Sequence, residues 1–242
     1  MAQESIKLQS HFTRLGVKID DDAVSLLSQY VALLVAWNKK LNLISRRDME
    51  FVWERHIAHS LSILAKVQLP RHARVLDLGT GGGLPGIPVK IVRPDLAVTL
   101  LDSTKKKIAA VESMLSTLGL RQIETVWGRA EELGPTLDSH EKYRFVISRG
   151  VASLGDLAKW SAPFLATGHP RGRGADEGLH SALVALKGGP LEAEVHALQL
   201  ARQVESVRVI NLTADDLPAE GFIDKKIVVV TFYPPAHRPS AV

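Results

Sequence analysis

The chain has 242 residues, 45% of them hydrophobic, and no cysteine. It can bury a sizeable core but can form neither a disulfide framework nor a cysteine–zinc site. Thirty Lys and Arg stand against 26 Asp and Glu, a formal charge of +4 with a pI near 9.3, which permits an anionic partner such as nucleic acid without requiring one.

Residues 3–16 read as a short helix ended by Gly16. Asp20, Asp21 and Asp22 then supply an N-cap and a negative first turn. Val24, Leu27, Val31, Leu34 and Val35 mark the buried stripe of a second helix running to about Lys40. Asp48 is read as the cap of a third helix through about Lys66, burying Phe51, Val52, Ile57, Leu61 and Leu64. Leu69-Pro70-Arg71 closes this N-terminal helical lobe, residues 1–70. The opening Met1-Ala-Gln-Glu-Ser5 lacks the basic-then-apolar order of a secretion signal. No apolar run nears the roughly 18 residues of a membrane span. A cytoplasmic protein without membrane association, and a monomer, is expected.

From Arg74 the period changes. Strands are predicted at 74–78, 97–101, 123–127, 144–148 and 182–186. Helices alternate with them at 84–93, 104–118, 154–165 and 190–203. Continuous apolar strands alternating with helices predict a parallel sheet covered on both faces. The runs 204–212 and 225–233 have no helix between them and are expected to be antiparallel. The α/β domain spans 71–234, with a Gly-rich basic loop at 168–181 and a loose Pro-rich tail at 235–242.

The chemistry gathers at Val75-Leu-Asp-Leu-Gly-Thr-Gly-Gly-Gly-Leu-Pro-Gly-Ile-Pro88. A strand breaks into a glycine turn and enters a helix. Glycine admits positive φ and lets a ligand approach the backbone, and the helix start presents free N–H groups. Gly81, Gly83 and Gly86 also satisfy G-x-G-x-x-G, so a dinucleotide fold and an S-adenosylmethionine (SAM) methyltransferase compete. Both want an acid after the second strand for ribose hydroxyls, and Asp102 supplies it. Three features favour the methyltransferase. Asp77 lies inside the first strand, where it can order the turn or face the amino-acid part of SAM. Gly79, Gly81 and Gly83 are packed too closely for a pyrophosphate. The antiparallel end of the sheet is a methyltransferase trait.

With its flanks the sequence resembles the bacterial small-subunit rRNA guanine-N7 methyltransferases (the RsmG family, also called glucose-inhibited division protein B). The resemblance is carried by Trp37-Asn38-Lys39 through Asn42-Leu43, Arg55-His56, Asp77 to Pro88, Leu100-Leu101-Asp102-Ser103, Arg129-Ala130-Glu131, Val146-Ile147-Ser148-Arg149, Ala152-Ser153-Leu154 and Ala185-Leu186-Lys187-Gly188. The Leu84-Pro85-Gly86-Ile87-Pro88 extension is far more specific than the glycines. The resemblance implies a class I SAM-dependent (Rossmann-like) methyltransferase sheet with an N-terminal helical lobe, SAM as methyl donor, and one guanine of 16S rRNA in the small ribosomal subunit as acceptor. It places Gly79 and Leu84 in the SAM pocket, Asp102 on the ribose, Ala130 and Glu131 beside the adenine, and Arg149 between SAM and substrate. Departures fall at His59, where an acid is common, at Val151, where an aromatic is common, at Ile108-Ala109-Ala110, and in the loop 168–181. Another RNA acceptor, a non-catalytic rRNA- or nucleotide-binding module and an NAD-dependent oxidoreductase are the alternatives.

Guanine N7 carries an in-plane lone pair, so methylation needs no general base. Arg149 and Arg129 are expected to position the base or a phosphate rather than move a proton. Arg55, His56, Lys105, Lys106, Lys107 and Lys187 are the candidate RNA contacts; Lys39, Lys40, Arg46, Arg47, Arg171 and Arg173 form a wider basic set. Lys187 suits a substrate contact and a salt-bridged strand end equally. His56 and His59, three apart on a helix, are read as structural or RNA-contacting, with no metal expected. Trp37, Trp53, Trp127 and Trp160 are read as packing residues.

Overall fold

The computed structural model describes residues 2–138, 142–166, 181–217 and 224–234. The basic loop at 168–181, apart from Ser181, and the tail at 235–242 lie outside the described residues.

Helix α1 covers Ala2–Arg14 and α2 covers Asp21–Asn38. The Asp20 carboxylate accepts from Ala23 N at 2.9 Å, the expected cap. The third helix is not one α-helix capped by Asp48. Ser45 caps a 3₁₀ segment at Arg46–Phe51, a π-helical segment follows at Trp53–Ala58, and α3 proper is His59–Lys66. The reason is what Asp48 does instead. Its carboxylate takes Arg55 Nη1 at 2.5 Å and faces His56, which no backbone cap could do as well. Phe51 is consequently exposed, with the Arg55 guanidinium over its ring. Leu64 is only partly buried, and Ile63 takes the core position.

Between α2 and the 3₁₀ segment, Asn38 is buried. Its Oδ1 accepts from Leu43 N at 2.7 Å and Ile44 N at 2.9 Å. That side chain replaces the backbone bonds the chain gives up on leaving the helix. Asn38→Ala is expected to lower stability by roughly 2–4 kcal/mol, because two N–H groups lose their acceptor. A denaturant midpoint that does not move would contradict this.

Among the described residues the sheet has seven strands: β1 Arg74–Leu78, β2 Ala97–Asp102, β3 Ile123–Trp127, β4 Phe145–Arg149, β5 Ala182–Gly188, β6 Val204–Asn211 and β7 Lys225–Phe232. Their order is β3-β2-β1-β4-β5-β7-β6. The first five pair in parallel, and β7 pairs antiparallel with both β5 and β6. The order reverses between β1 and β4, and open α/β sheets bind ligands at the strand ends beside such a switch.

The sheet faces differ. Val75, Phe145, Ile147, Val184, Leu186, Ile227 and Val229 share one core with the N-terminal helices. Leu76, Val146, Leu183, Ala185, Val228 and Val230 pack against α7 (Leu154–Ser161) and α8 (Glu192–Gln199). The lobe therefore packs on the sheet as one continuous core. Helices α4 (Gly86–Val92) and α5 (Lys105–Leu118) complete the first layer. α4 begins two residues later than the sequence pattern predicts; Pro85 precedes it, joined to Leu84 by a cis peptide. Trp53 is buried as expected, but Trp127 ends an edge strand and is 57% exposed, so it is not a packing residue.

Candidate active site

The glycine turn is braced from three sides. Gly79 N and Thr80 N donate to Leu101 O, tying the turn to β2. Behind it, Asp77 is fully buried, and its Oδ2 accepts from Thr80 Oγ1 at 2.6 Å and Gly86 N at 2.8 Å. Burial pushes the Asp77 carboxyl up to about 7, and those two hydrogen bonds oppose the shift. The third brace comes from the lobe, where Tyr30 Oη donates to Gly82 O at 2.8 Å. Gly79, Gly81 and Gly83 have φ of +74°, +58° and +96°. A methyl group on Gly83 would lie 2.3 Å from Ile87, whereas one on Gly81 would meet nothing nearer than 3.9 Å.

Asp102 ends β2 and is buried. Its Oδ2 accepts from Gly81 N at 2.9 Å and its Oδ1 from Thr104 N at 2.8 Å. Each carboxylate oxygen keeps a second lone pair for a hydroxyl donor. Next to it lies a cavity of about 170 Å³, lined by Gly79, Asp102, Gly128, Arg129, Ala130, Glu131, Val151 and Trp160 among others. Ala130 and Glu131 open the short helix α6, Ala130–Leu133. This set suits a nucleoside: a carboxylate with free lone pairs at a strand end and an aromatic wall, with Gly79 and Gly128 making room for the Val151 and Leu133 side chains.

A second cavity of about 550 Å³ opens on the other side of Val151, which lines both. Asp48, Arg55, His56, His59, Arg149, Lys187 and Lys225 supply its charged and polar walls. Arg149 ties its walls together. Its Nη1 lies 2.6 Å from His56 Nδ1 and 3.3 Å from Arg55 O. A guanidinium can only donate, so Nδ1 accepts and the proton of a neutral His56 sits on Nε2. Burial, reinforced by the Arg149 charge and opposed by Asp48, lowers the His56 pKa to about 3. Burial likewise holds His59 well below its usual range.

An unfolded histidine titrates near 6.5, so the unfolded chain takes up protons that folded His56 refuses. The stability this contributes is complete above pH 6.5 and is lost as pH falls toward about 3. His56→Asn is expected to lose less melting temperature than the parent over that window. Parallel curves would contradict it.

The predicted site residues thus divide between places. Gly79, Asp102, Arg129, Ala130 and Glu131 line the first cavity; Arg55, His56, Arg149 and Lys187 line the second. Gly81 touches Asp102, while Asp77, Gly83 and Leu84 sit behind the turn and line neither. Lys187 is a salt-bridged strand end that also lines the second cavity: its ammonium donates to Ala152 O at 2.9 Å and pairs with Glu194 at 3.3 Å. Lys105, Lys106 and Lys107 open α5 outside both cavities, with the Lys105 ammonium 5.1 Å from the Trp127 ring centroid. Sequence reading missed Tyr30, Trp160 and Lys225, whose proximity only the folded chain shows, and gave no role at the junction to Val151.

Comparison with known proteins gives the family and the fold. Residues 23–220 match the family model described as rRNA small subunit methyltransferase G. A ribosomal RNA small subunit methyltransferase G from Chlorobaculum tepidum is 40% identical over 189 residues, covering 78% of this chain and 79% of that one. Its namesake from Clostridium novyi is 34% identical over 218 residues, covering 88% and 85%. Among solved structures, a predicted O-methyltransferase from Agrobacterium tumefaciens aligns at TM-score 0.53 and 16% identity, over 73% of this chain and 80% of that one. A methyltransferase from Geobacter sulfurreducens aligns at TM-score 0.51 and 12% identity, over 83% and 88%. The fold is that of the class I methyltransferases, and the chain belongs to the rRNA small subunit methyltransferase G family.

Proposed function

We propose that this chain transfers a methyl group from SAM to N7 of one guanine in 16S rRNA of the small ribosomal subunit. The observation that carries this reading, beside family membership, is the pair of cavities meeting at Val151. One has the walls of a nucleoside site; the other is cationic and large enough for a nucleotide.

Asp102 would hold the ribose of SAM. Ala130, Glu131 and Trp160 would flank its adenine, Gly81 would let it approach the backbone, and Gly79, which lines the cavity, makes room for Val151. Asp77, Gly83 and Leu84 keep the turn in shape from behind. SAM supplies a methyl group on a sulfonium, and the chain supplies alignment. The guanine N7 lone pair is free at neutral pH, so no residue has to remove a proton, and precise placement of the reacting atoms lowers the barrier. Arg149 positions the base at the cavity junction; its remaining N–H groups have no partner among the described residues and can reach O6 or a phosphate. Arg129 belongs to the cofactor side. Water exclusion around the reacting atoms would favour the step as the sulfonium charge disperses. Arg55, His56 and Lys187 line the acceptor side, and Lys105–Lys107 extend the basic surface for flanking RNA. Among the described residues no helix is long and apolar enough to cross a membrane. A monomeric cytoplasmic enzyme built from the lobe 1–70, the domain 71–234 and a short tail fits this role.

Calorimetry with S-adenosylhomocysteine and with NAD separates the cofactor classes. Binding of the first alone is expected, and a preference for NAD would overturn the reading.

A further inference from the structure

We infer that Lys225, at the start of β7, holds a phosphate of the acceptor RNA strand in the second cavity. The inference rests on the rRNA-methylating reading above and adds to it a binding residue from the far end of the chain.

β7 runs antiparallel to its neighbour β5, so its first residue lies at the sheet end where the parallel strands finish. Side chains alternate along a strand, and residues directly opposite each other share a face. Lys225 is opposite Gly188, and Lys226 is opposite Lys187. The two lysines therefore project from opposite faces, and their surroundings differ. Lys226 donates to Gly189 O at 2.8 Å and pairs with Asp224, so its charge is used in the strand end. Lys225 turns to the lobe face, over Gly188, where an added methyl group would lie 3.2 Å from its Nζ. The bare glycine leaves room for the ammonium. Among the described residues that ammonium has no hydrogen-bond or ion-pair partner.

Around it the cavity has an excess of positive charge. Arg55, Arg149, Lys187 and Lys225 face one carboxylate, Asp48, which Arg55 already engages. Glu194 is taken by Lys187. The Lys225 charge also lies close enough to His56 and His59 to oppose their protonation. With Arg55 on Asp48 and Lys187 on Glu194, the charges of Arg149 and Lys225 are left for an anion to neutralise. A phosphodiester on the nucleotide whose base enters beside Val151 is the anion that RNA supplies. A compact ammonium suits a phosphate as a point charge, and it needs no fixed fork.

Two measurements test this with the full chain. In the first, calorimetry compares guanosine 5′-monophosphate, guanosine and inorganic phosphate, each with S-adenosylhomocysteine present. The parent is expected to bind the monophosphate about tenfold tighter than guanosine, Lys225→Gln to bind both alike, and Lys225→Arg to keep the preference. In the second, methylation of small subunits is followed against salt. Lys225→Gln is expected to raise KM about five- to tenfold with kcat within about twofold, and to flatten the slope of log kcat/KM on log salt by about 0.7. Lys226→Gln is expected to keep the parental slope. An unchanged monophosphate preference together with an unchanged slope in Lys225→Gln would overturn the assignment. So would a loss of S-adenosylhomocysteine affinity in that variant, which would mark the lysine as structural. If the parent prefers the monophosphate yet methylates no guanine, the phosphate site stands and the reaction assigned above fails.

Discussion

Arg149→Ala is expected to lower kcat/KM for methylation of small ribosomal subunits by about a hundredfold to a thousandfold, equivalent to roughly 3–4 kcal/mol of lost transition-state stabilisation. The side chain ends β4 at the switch point of the sheet and reaches toward the lobe. Its Nη1 meets His56 Nδ1 and Arg55 O, so one guanidinium fixes the wall of the second cavity. Its charge also acts on buried Asp77 and Tyr30, which brace the glycine turn. Truncation leaves His56 Nδ1 buried without its donor and removes a cation near Asp77, and both changes are unfavourable. Arg149→Lys is expected to recover little, because a single ammonium cannot bond to two partners and still reach a base in the geometry of a planar fork. Steady-state kinetics on subunits, beside calorimetry for S-adenosylhomocysteine, separates positioning from cofactor loss. Most of the deficit is expected in kcat, with cofactor affinity reduced no more than about tenfold. Wild-type kinetics in Arg149→Ala would remove this residue from the mechanism.

The second large effect concerns the turn. Gly83→Ala is expected to destabilise the fold by roughly 2–5 kcal/mol, the sum of left-handed strain and overpacking. The backbone there has φ +96°, and the new methyl group would lie 2.3 Å from Ile87 Cδ1 and 3.3 Å from the Tyr30 hydroxyl. Gly81→Ala meets a different situation. Its φ is +58° but the nearest atom is Leu43 O at 3.9 Å, so the fold is expected to lose only about 1–2 kcal/mol. The methyl group would stand in open space on the side of Leu43, while the Gly81 N–H stays on Asp102; on the reading that SAM approaches this turn, S-adenosylhomocysteine affinity should fall at least tenfold. Gly16→Ala, with φ +79° and nothing within 4 Å, carries strain alone and serves as the reference. Equal melting losses in all three, or unchanged cofactor affinity in Gly81→Ala, would contradict this division of roles.

Much of the architecture was legible in the sequence because its signals were local. Strand β1 with its glycine turn, the cap at Asp20 and the acid at Asp102 each follow from a short run of residues. The missing helix between 204–212 and 225–233 was enough to expect the antiparallel end of the sheet. What escaped was set by distant partners. Asp48 reads as a helix cap from its neighbours alone, yet the folded chain gives it to Arg55. Trp127 looks like packing until β3 is known to be a sheet edge. Lys225 lies beside the cavity because β7 runs backwards, and it is 76 residues from Arg149 in sequence. Asp77 could order the turn or face a ligand on sequence grounds. Its Oδ2 bonds to Thr80 and Gly86 show that it orders the turn, and only the folded backbone brings those partners to it.

The most direct measurement incubates the protein and SAM with small subunits lacking the modification, then maps N7-methylguanine in 16S rRNA by strand scission at the labile base. The expected result is scission at a single guanine, dependent on SAM and strongly reduced with Arg149→Ala. Absence of N7-methylguanine at every position, with cofactor binding intact, would contradict the assigned reaction.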